Sequence, residues 1–330
     1  MRTYKWSEIS NYRGEIFGIS IISIILFHYF EGVAISGETG KFLTLLAFLY
    51  NGIIGSVGVD VFLFLSGYGV FYSLSRKQGF IAFYIKRIER VVIPYLIVGC
   101  AFWIIKDLII GRESFWRFLY DYSLLSFWGE GIRTFWYISL ICILYAISPY
   151  IYERHRVMFF WGGLSILLTI FLYRVYPSKY TEIEIAILRI PVFLIGMYVA
   201  SLSKNRRTIS QLLFGLLALS VPLKIVWGMY GFPFSRLING CYAVFLVVLY
   251  VVIRHWGDDN SKTFSAMVWF GSYSLELYIV HVALRNLMRT FGLNLTNPLL
   301  YAGCIITSVP LSIALSKAVK SLSKTSSVSK

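Results

Sequence analysis

The chain has 330 residues, 58% hydrophobic and only 14% charged, with a net charge of +15 and a mean hydropathy of +0.70. Soluble domains carry about 25% charged residues, so this composition excludes an ordinary soluble protein and specifies an integral membrane protein. Nucleic acid does not explain the basic charge, because in a multispan protein the excess normally sits in cytoplasmic loops.

A membrane span needs about 20 mostly apolar residues. Ten runs qualify: 16–35, 49–74, 91–110, 135–152, 157–174, 186–202, 210–227, 237–253, 266–288 and 299–316. Helices and closed barrels alone satisfy the backbone in lipid, and these runs are too long and too apolar for barrel strands. The expected fold is therefore an all-α polytopic membrane helix bundle of about ten transmembrane helices. Arg2, Lys5 and Arg13 precede the first run, which lacks a small-residue cleavage site and reads as a retained span. Most lysines and arginines fall in the segments that are cytoplasmic if both termini are inside, giving an N-in/C-in topology. Residues 1–316 read as one transmembrane domain, and 317–330, rich in Ser and Lys, as a disordered cytoplasmic tail.

Ionisable groups inside spans are expensive and point to function. With this topology His28, Asp60 and His281 share the outer half of the membrane, and Glu276 lies near its middle. A shared polar pocket is the expectation. Tyr278 and His281 lie three apart on one helix face, with Ser274 one turn earlier. Arg87 and Arg90 also lie three apart, in the cytoplasmic segment after the second run. They read either as a positive-inside anchor or as a phosphate clamp. Trp136 and Tyr137 read as interface-belt aromatics or a sugar-stacking platform. Ser66-Gly67 permits close helix approach. Cys100, Cys142, Cys241 and Cys304 lie in apolar runs without metal-ligand spacing, so they read as core residues and no metal site is expected.

Five stretches follow one another in a recognisable order. They are Leu26-Phe27-His28, Gly58-Val59-Asp60-Val61-Phe62 with Leu65-Ser66-Gly67-Tyr68, Phe83 to Arg90 with Pro94-Tyr95, Phe135-Trp136-Tyr137-Ile138, and Ser272 to His281. Together they resemble the acyltransferase-3 family of integral membrane acyltransferases, over essentially the whole chain. The resemblance implies transfer of an acyl group, most often acetyl, from acyl-CoA (acetyl-CoA) on the cytoplasmic side. The acceptor is a hydroxyl of a cell-surface or exported carbohydrate or lipid-linked glycan. No bound cofactor is implied, and the location is a cell membrane, that of a bacterium.

By the same resemblance His28 is the general base, and Arg87 and Arg90 help hold the CoA phosphates. Asp60 is expected to orient the imidazole or stabilise the imidazolium, as carboxylates do beside catalytic histidines. Ser66, Tyr68, Trp136, Tyr137, Tyr278 and His281 are expected to line the pocket on the acceptor side. Two positions depart from the pattern. Phe17 stands where the family usually has Arg or Lys, with Arg13 one turn nearer the cytoplasm as a substitute in donor binding. Phe135 stands where a polar residue or histidine is common. The segment Gly111 to Thr134, with Trp116, Tyr120, Tyr122, Trp128 and Glu130, is the expected place for acceptor contacts. The alternative class is a proton-coupled transporter or exporter using the same intramembrane groups, against which the halves show no repeat. A polysaccharide polymerase or flippase would need a larger outer loop or more spans.

Overall fold

The structure, a computed structural model of the chain, describes residues 4–36, 40–76, 79–153, 158–230, 234–255 and 262–328. Its regular elements, among the described residues, are helices, and Lys5 and Thr208 form an isolated antiparallel bridge. In chain order these are α1 (Glu8–Ser36), α2 (Lys41–Ile53), α3 (Val57–Ser75) and α4 (Phe80–Arg87). A π-helical turn, π1 (Ile88–Val92), leads into α5 (Ile93–Trp103) and a second, π2 (Ile104–Ile110). Then come α6 (Phe115–Tyr122), α7 (Leu125–Glu130), α8 (Trp136–Glu153), α9 (Met158–Val175), α10 (Pro177–Ile187) and α11 (Ile190–Lys204). The last are α12 (Gln211–Ala218), α13 (Ser220–Tyr230), α14 (Ser235–Arg254), α15 (Lys262–Ser272), α16 (Ser274–Thr290) and α17 (Pro298–Val328).

Eight helical stretches among the described residues are long and apolar enough to cross a membrane. The expected run at 266–288 falls on α15 and α16, broken at Tyr273, and that at 210–227 on a shorter apolar stretch, Gln211–Val226. All ten expected runs are thus helical, and the chain is a polytopic all-α membrane protein.

The helices divide into two units. The first comprises residues 1–77, 148–171 and 187–274. Its centre is α3, buried continuously from Val57 to Tyr68. It packs against α1, α11 and α14, while α1 also contacts α2 and α15. Helix apolarity cannot drive association in lipid, so close packing must, and small residues permit it. A methyl at Gly67 would overlap the Phe193 carbonyl, and one at Gly196 the Phe64 carbonyl, so α3 and α11 cross backbone to backbone. Gly18 and Gly271 do the same for α1 and α15, against Met267 and Gly14.

The second unit comprises residues 78–147, 172–186 and 275–330. One core joins Val280, Leu315 and Val319 to Ile93, Val98 and Leu284. Val319 explains a difference from the sequence reading. α17 runs on to Val328, so the backbone over 317–328 is helical where an unstructured end is expected. Leu315 and Val319 lie four apart, and that apolar stripe carries the helix past the expected boundary.

Candidate active site

In the first unit α1 and α3 run antiparallel, and side-chain contacts fix their register. Ser10 meets Tyr68, Arg13 donates to the Leu65 carbonyl, Phe17 packs on Phe62 at 5.3 Å, and Gly58 faces Ser20 and Ile24. Asp60 therefore lies near the level of Ser20, a little over two turns, or about 12 Å of rise, inward of His28. The level of His28 is met instead by the end of α2, where the Asn51 amide donates to the Phe30 carbonyl at 3.3 Å. The expected pairing of Asp60 with the His28 imidazole does not follow from this register. Assigning both residues to the outer half was too coarse to resolve two helical turns.

Asp60 has a different partner. Its Oδ1 accepts from Arg189 Nε at 2.9 Å, with both side chains completely buried. Arg189 Nη2 also donates to Ser56 Oγ at 2.8 Å, and Arg236 Nη1 donates to the same hydroxyl at 3.0 Å. Lys224 joins them. It is 8% exposed, its ammonium lies beside Gly55, and it is within Coulomb range of Asp60, Arg189 and Arg236. Gly55 permits the approach because it turns the chain from α2 into α3 with a φ of +51°. The result is a cation-rich cluster at Gly55 and Ser56, about one turn from the level of His28 toward the start of α1 by the same register; His28 is itself half-buried. Sequence reasoning missed Arg189, Lys224 and Arg236. The signal was available for the first two, because each is a lone cation inside an apolar run, and the rule that singled out Asp60 applies to them equally.

Other expected site residues in this unit lie in helix contacts. Tyr68 is 1% exposed and its hydroxyl meets Ser10 at 3.1 Å, Ser203 at 2.9 Å and the Trp6 carbonyl at 3.2 Å. It ties the first turns of α1 to the later part of α3 and the last turn of α11. Ser66 is 8% exposed within the same buried helix. The Arg13 guanidinium lies 5.2 Å from the Phe17 ring and against Gly69, where a side chain would exclude it. Arg13 thus reaches the level of position 17, as expected, with Phe17 supplying the aromatic face beneath it. A second buried ion pair, Glu15 with Arg254 at 2.8 Å, and a hydrogen bond from Tyr250, hold α1 to α14.

In the second unit Arg87 and Arg90 do not form a same-face pair. Pro94 has no N–H, and the helix passes it through π1, where the Ile93 N–H bonds to the Ile88 carbonyl. The wider turn breaks the stacking of positions three apart. Arg87 is half-buried between Phe83 and Tyr145, at 5.0 and 5.1 Å from their ring centres, while Arg90 is exposed. His281 is completely buried. Its Nε2 lies 3.1 Å from the Tyr301 hydroxyl and its Nδ1 3.9 Å from Cys304 Sγ. Tyr278 packs edge-on against Tyr137 at 5.2 Å. Trp136 and Tyr137 are 9% and 4% exposed, which fits neither a lipid-facing belt nor an open platform. Phe135 is explained by its neighbours: it packs against Tyr95, Phe102 and Trp103, so an aromatic core replaces a polar group there.

The segment from Gly111 to Thr134 is folded as α6 and α7. Arg117 clamps it, bonding Asp121 at 2.8 Å and Glu130 at 2.6 Å. The Glu130 contact, then Asp121, raises the Arg117 pKa above its ordinary value against the opposing effect of burial. Trp128 donates to Ser139 at 2.6 Å, and Lys179 to the Gly129 carbonyl at 2.7 Å. Phe115 and Trp116 remain exposed, at 59% and 78%.

No group of three or more His, Cys, Asp or Glu capable of holding a metal exists among the described residues. Comparisons with curated proteins and with solved structures give no match. A family model does match: that of the acyltransferase-3 family, described as an acyltransferase domain, aligns with residues 18–317. That span includes His28, the cation-rich cluster and His281, and it decides for a transferase over a transporter. The chain belongs to the acyltransferase-3 family and is a multi-pass membrane acyltransferase.

Proposed function

We propose that the chain is an O-acetyltransferase of a cell membrane, that of a bacterium. It moves acetyl from cytoplasmic acetyl-CoA to a hydroxyl of a cell-surface or exported carbohydrate, free or lipid-linked. The observation that carries this reading is a half-buried His28 on α1, with two guanidinium groups meeting at Ser56, which the α1–α3 register sets about one helical turn along the axis from it.

A sugar hydroxyl is a poor nucleophile and must lose its proton as its oxygen attacks the thioester carbonyl carbon. An imidazole with an ordinary pKa of about 6.5 accepts that proton near neutral pH. The carbonyl oxygen becomes an oxyanion, and Arg236, at Ser56, is the group this reading assigns to stabilise it. Such contacts are worth about 10²–10³ in rate. Collapse breaks the carbon–sulfur bond, and the imidazolium returns its proton to the departing thiolate. Asp60 acts through Arg189, fixing the guanidinium that shares Ser56 with Arg236. In the second unit Arg90, exposed beside the π turn, and Arg87 are assigned to the CoA phosphates; in the first, Arg13 is the donor-side candidate. Trp116, exposed on α6, is the acceptor-side contact this reading favours.

The test is label transfer from radiolabelled acetyl-CoA to candidate glycans in membranes containing the protein, with and without His28→Ala. Transfer that requires His28 supports the reading. Undiminished transfer in the variant refutes the base assignment, and no transfer to any carbohydrate refutes the substrate class.

A further inference from the structure

Lys224 is not used by the mechanism above. It is a lysine on an apolar helix, 8% exposed, and within the described residues its ammonium makes no hydrogen bond or ion pair. Its neighbours worsen its position. Arg189 and Arg236 are like charges, and the one nearby carboxylate among the charges acting on it, Asp60, is bonded through Oδ1 to Arg189 and only partly offsets them. An ammonium removed from water needs an acceptor for its three donors, and its burial is costly without one. The site also lies at the start of α3, whose first N–H groups add positive potential. Gly55, with positive φ, brings no side chain against the ammonium: a Cβ there would lie 3.2 Å from Lys224 Nζ.

We infer that Lys224 receives an anionic group carried by the acceptor, so that the substrate is an acidic glycan. The anion is a sugar carboxylate or a phosphate. This rests on the acyltransferase reading for the word acceptor, but the anion site itself does not depend on it. A carboxylate or phosphate docked at Lys224 fixes the sugar one helical turn inward of His28. A neighbouring hydroxyl on the same ring then lies toward the imidazole. Binding energy from a non-reacting group is thereby used to orient the reacting one.

The test uses purified full-length protein in nanodiscs of neutral lipid and three probes: a glucuronate-containing disaccharide, its neutral glucose counterpart, and a sugar phosphate. Ligand-dependent thermal shift and equilibrium binding are read for wild type, Lys224→Gln and Lys224→Arg. Wild type is expected to bind one of the two anionic probes at least tenfold more tightly than the neutral one. Lys224→Gln should lose that difference, and Lys224→Arg should keep most of it. The winning probe identifies the source of the anion. Removing a buried like charge should leave the melting temperature of unliganded Lys224→Gln unchanged or raised, so failure to fold is not the expected confounder. Equal binding of all three probes by wild type overturns the proposal. So does a preference that survives in Lys224→Gln, or displacement of the anionic probe by coenzyme A instead of by acidic sugars. Acetyl transfer onto the neutral disaccharide that ignores Lys224 refutes the anion site and leaves the transferase intact. Lys224-dependent binding without acetyl transfer to any of the probes refutes the acetyl-to-carbohydrate reading and leaves the site.

Discussion

His28 and His281 each sit on a long apolar helix, and their surroundings are of opposite kinds. His28 is half-buried and one turn from a cluster of guanidinium and ammonium groups at Ser56. His281 is completely buried, with one ring nitrogen at the Tyr301 hydroxyl and the other near Cys304. A general base must reach its substrate and sit where developing negative charge is tolerated. The first environment allows both. The second offers a satisfied hydrogen bond inside a packed core, which is how a structural histidine is held.

Four substitutions would break or sharpen that contrast. The largest stability effect is expected at the cluster beneath His28. Asp60→Asn leaves Arg189 buried without its counter-charge, and such losses cost about 3–5 kcal/mol. Chemical unfolding in detergent should show it, and pairing Asp60→Leu with Arg189→Met should recover most of the loss. If the single variant is as stable as wild type, the ion pair does not anchor the cluster. Next is the crossing that holds α11, and so Arg189, against α3. Gly67→Ala forces a methyl into the Phe193 carbonyl, an overpacking worth about 1–3 kcal/mol. An unchanged melting temperature would mean the two helices sit farther apart. On the other side, His281→Ala should cost about 1–3 kcal/mol by leaving the buried Tyr301 hydroxyl without this partner, while transfer per folded molecule stays near wild type. Loss of transfer with full stability would reverse the assignment. The smallest effect belongs to the folded segment 111–134. Arg117→Ala should cost about 1 kcal/mol, since the clamp is partly exposed, and proteolysis of the segment 111–134 is the sensitive readout.

The sequence made the architecture plain because lipid leaves few choices. Ten apolar runs of sufficient length had to be helices, and all ten are. The site was only partly legible. The spacing from Asp60 to Tyr68 announced a buried polar helix, but hydropathy places a residue along the membrane normal only to within a turn or two. The register of α1 on α3 is set by Gly58, Phe17 and Arg13, and it is this register that separates Asp60 from His28. The partner of Asp60 was in view as a lone arginine between Leu188 and Ile190, yet no sequence rule pairs residues 129 positions apart. The π turn before Pro94 likewise undid a helical-face argument that was sound for a regular α-helix.

The most direct test replaces each histidine by the same residue. His28→Gln and His281→Gln, reconstituted side by side in vesicles, would be assayed for acetyl transfer from labelled acetyl-CoA and normalised to folded protein. The account predicts a loss of about 10²–10⁴-fold in the first, the usual worth of a general base, and near wild-type transfer in the second. Equal losses in both, or a loss confined to His281→Gln, would contradict it.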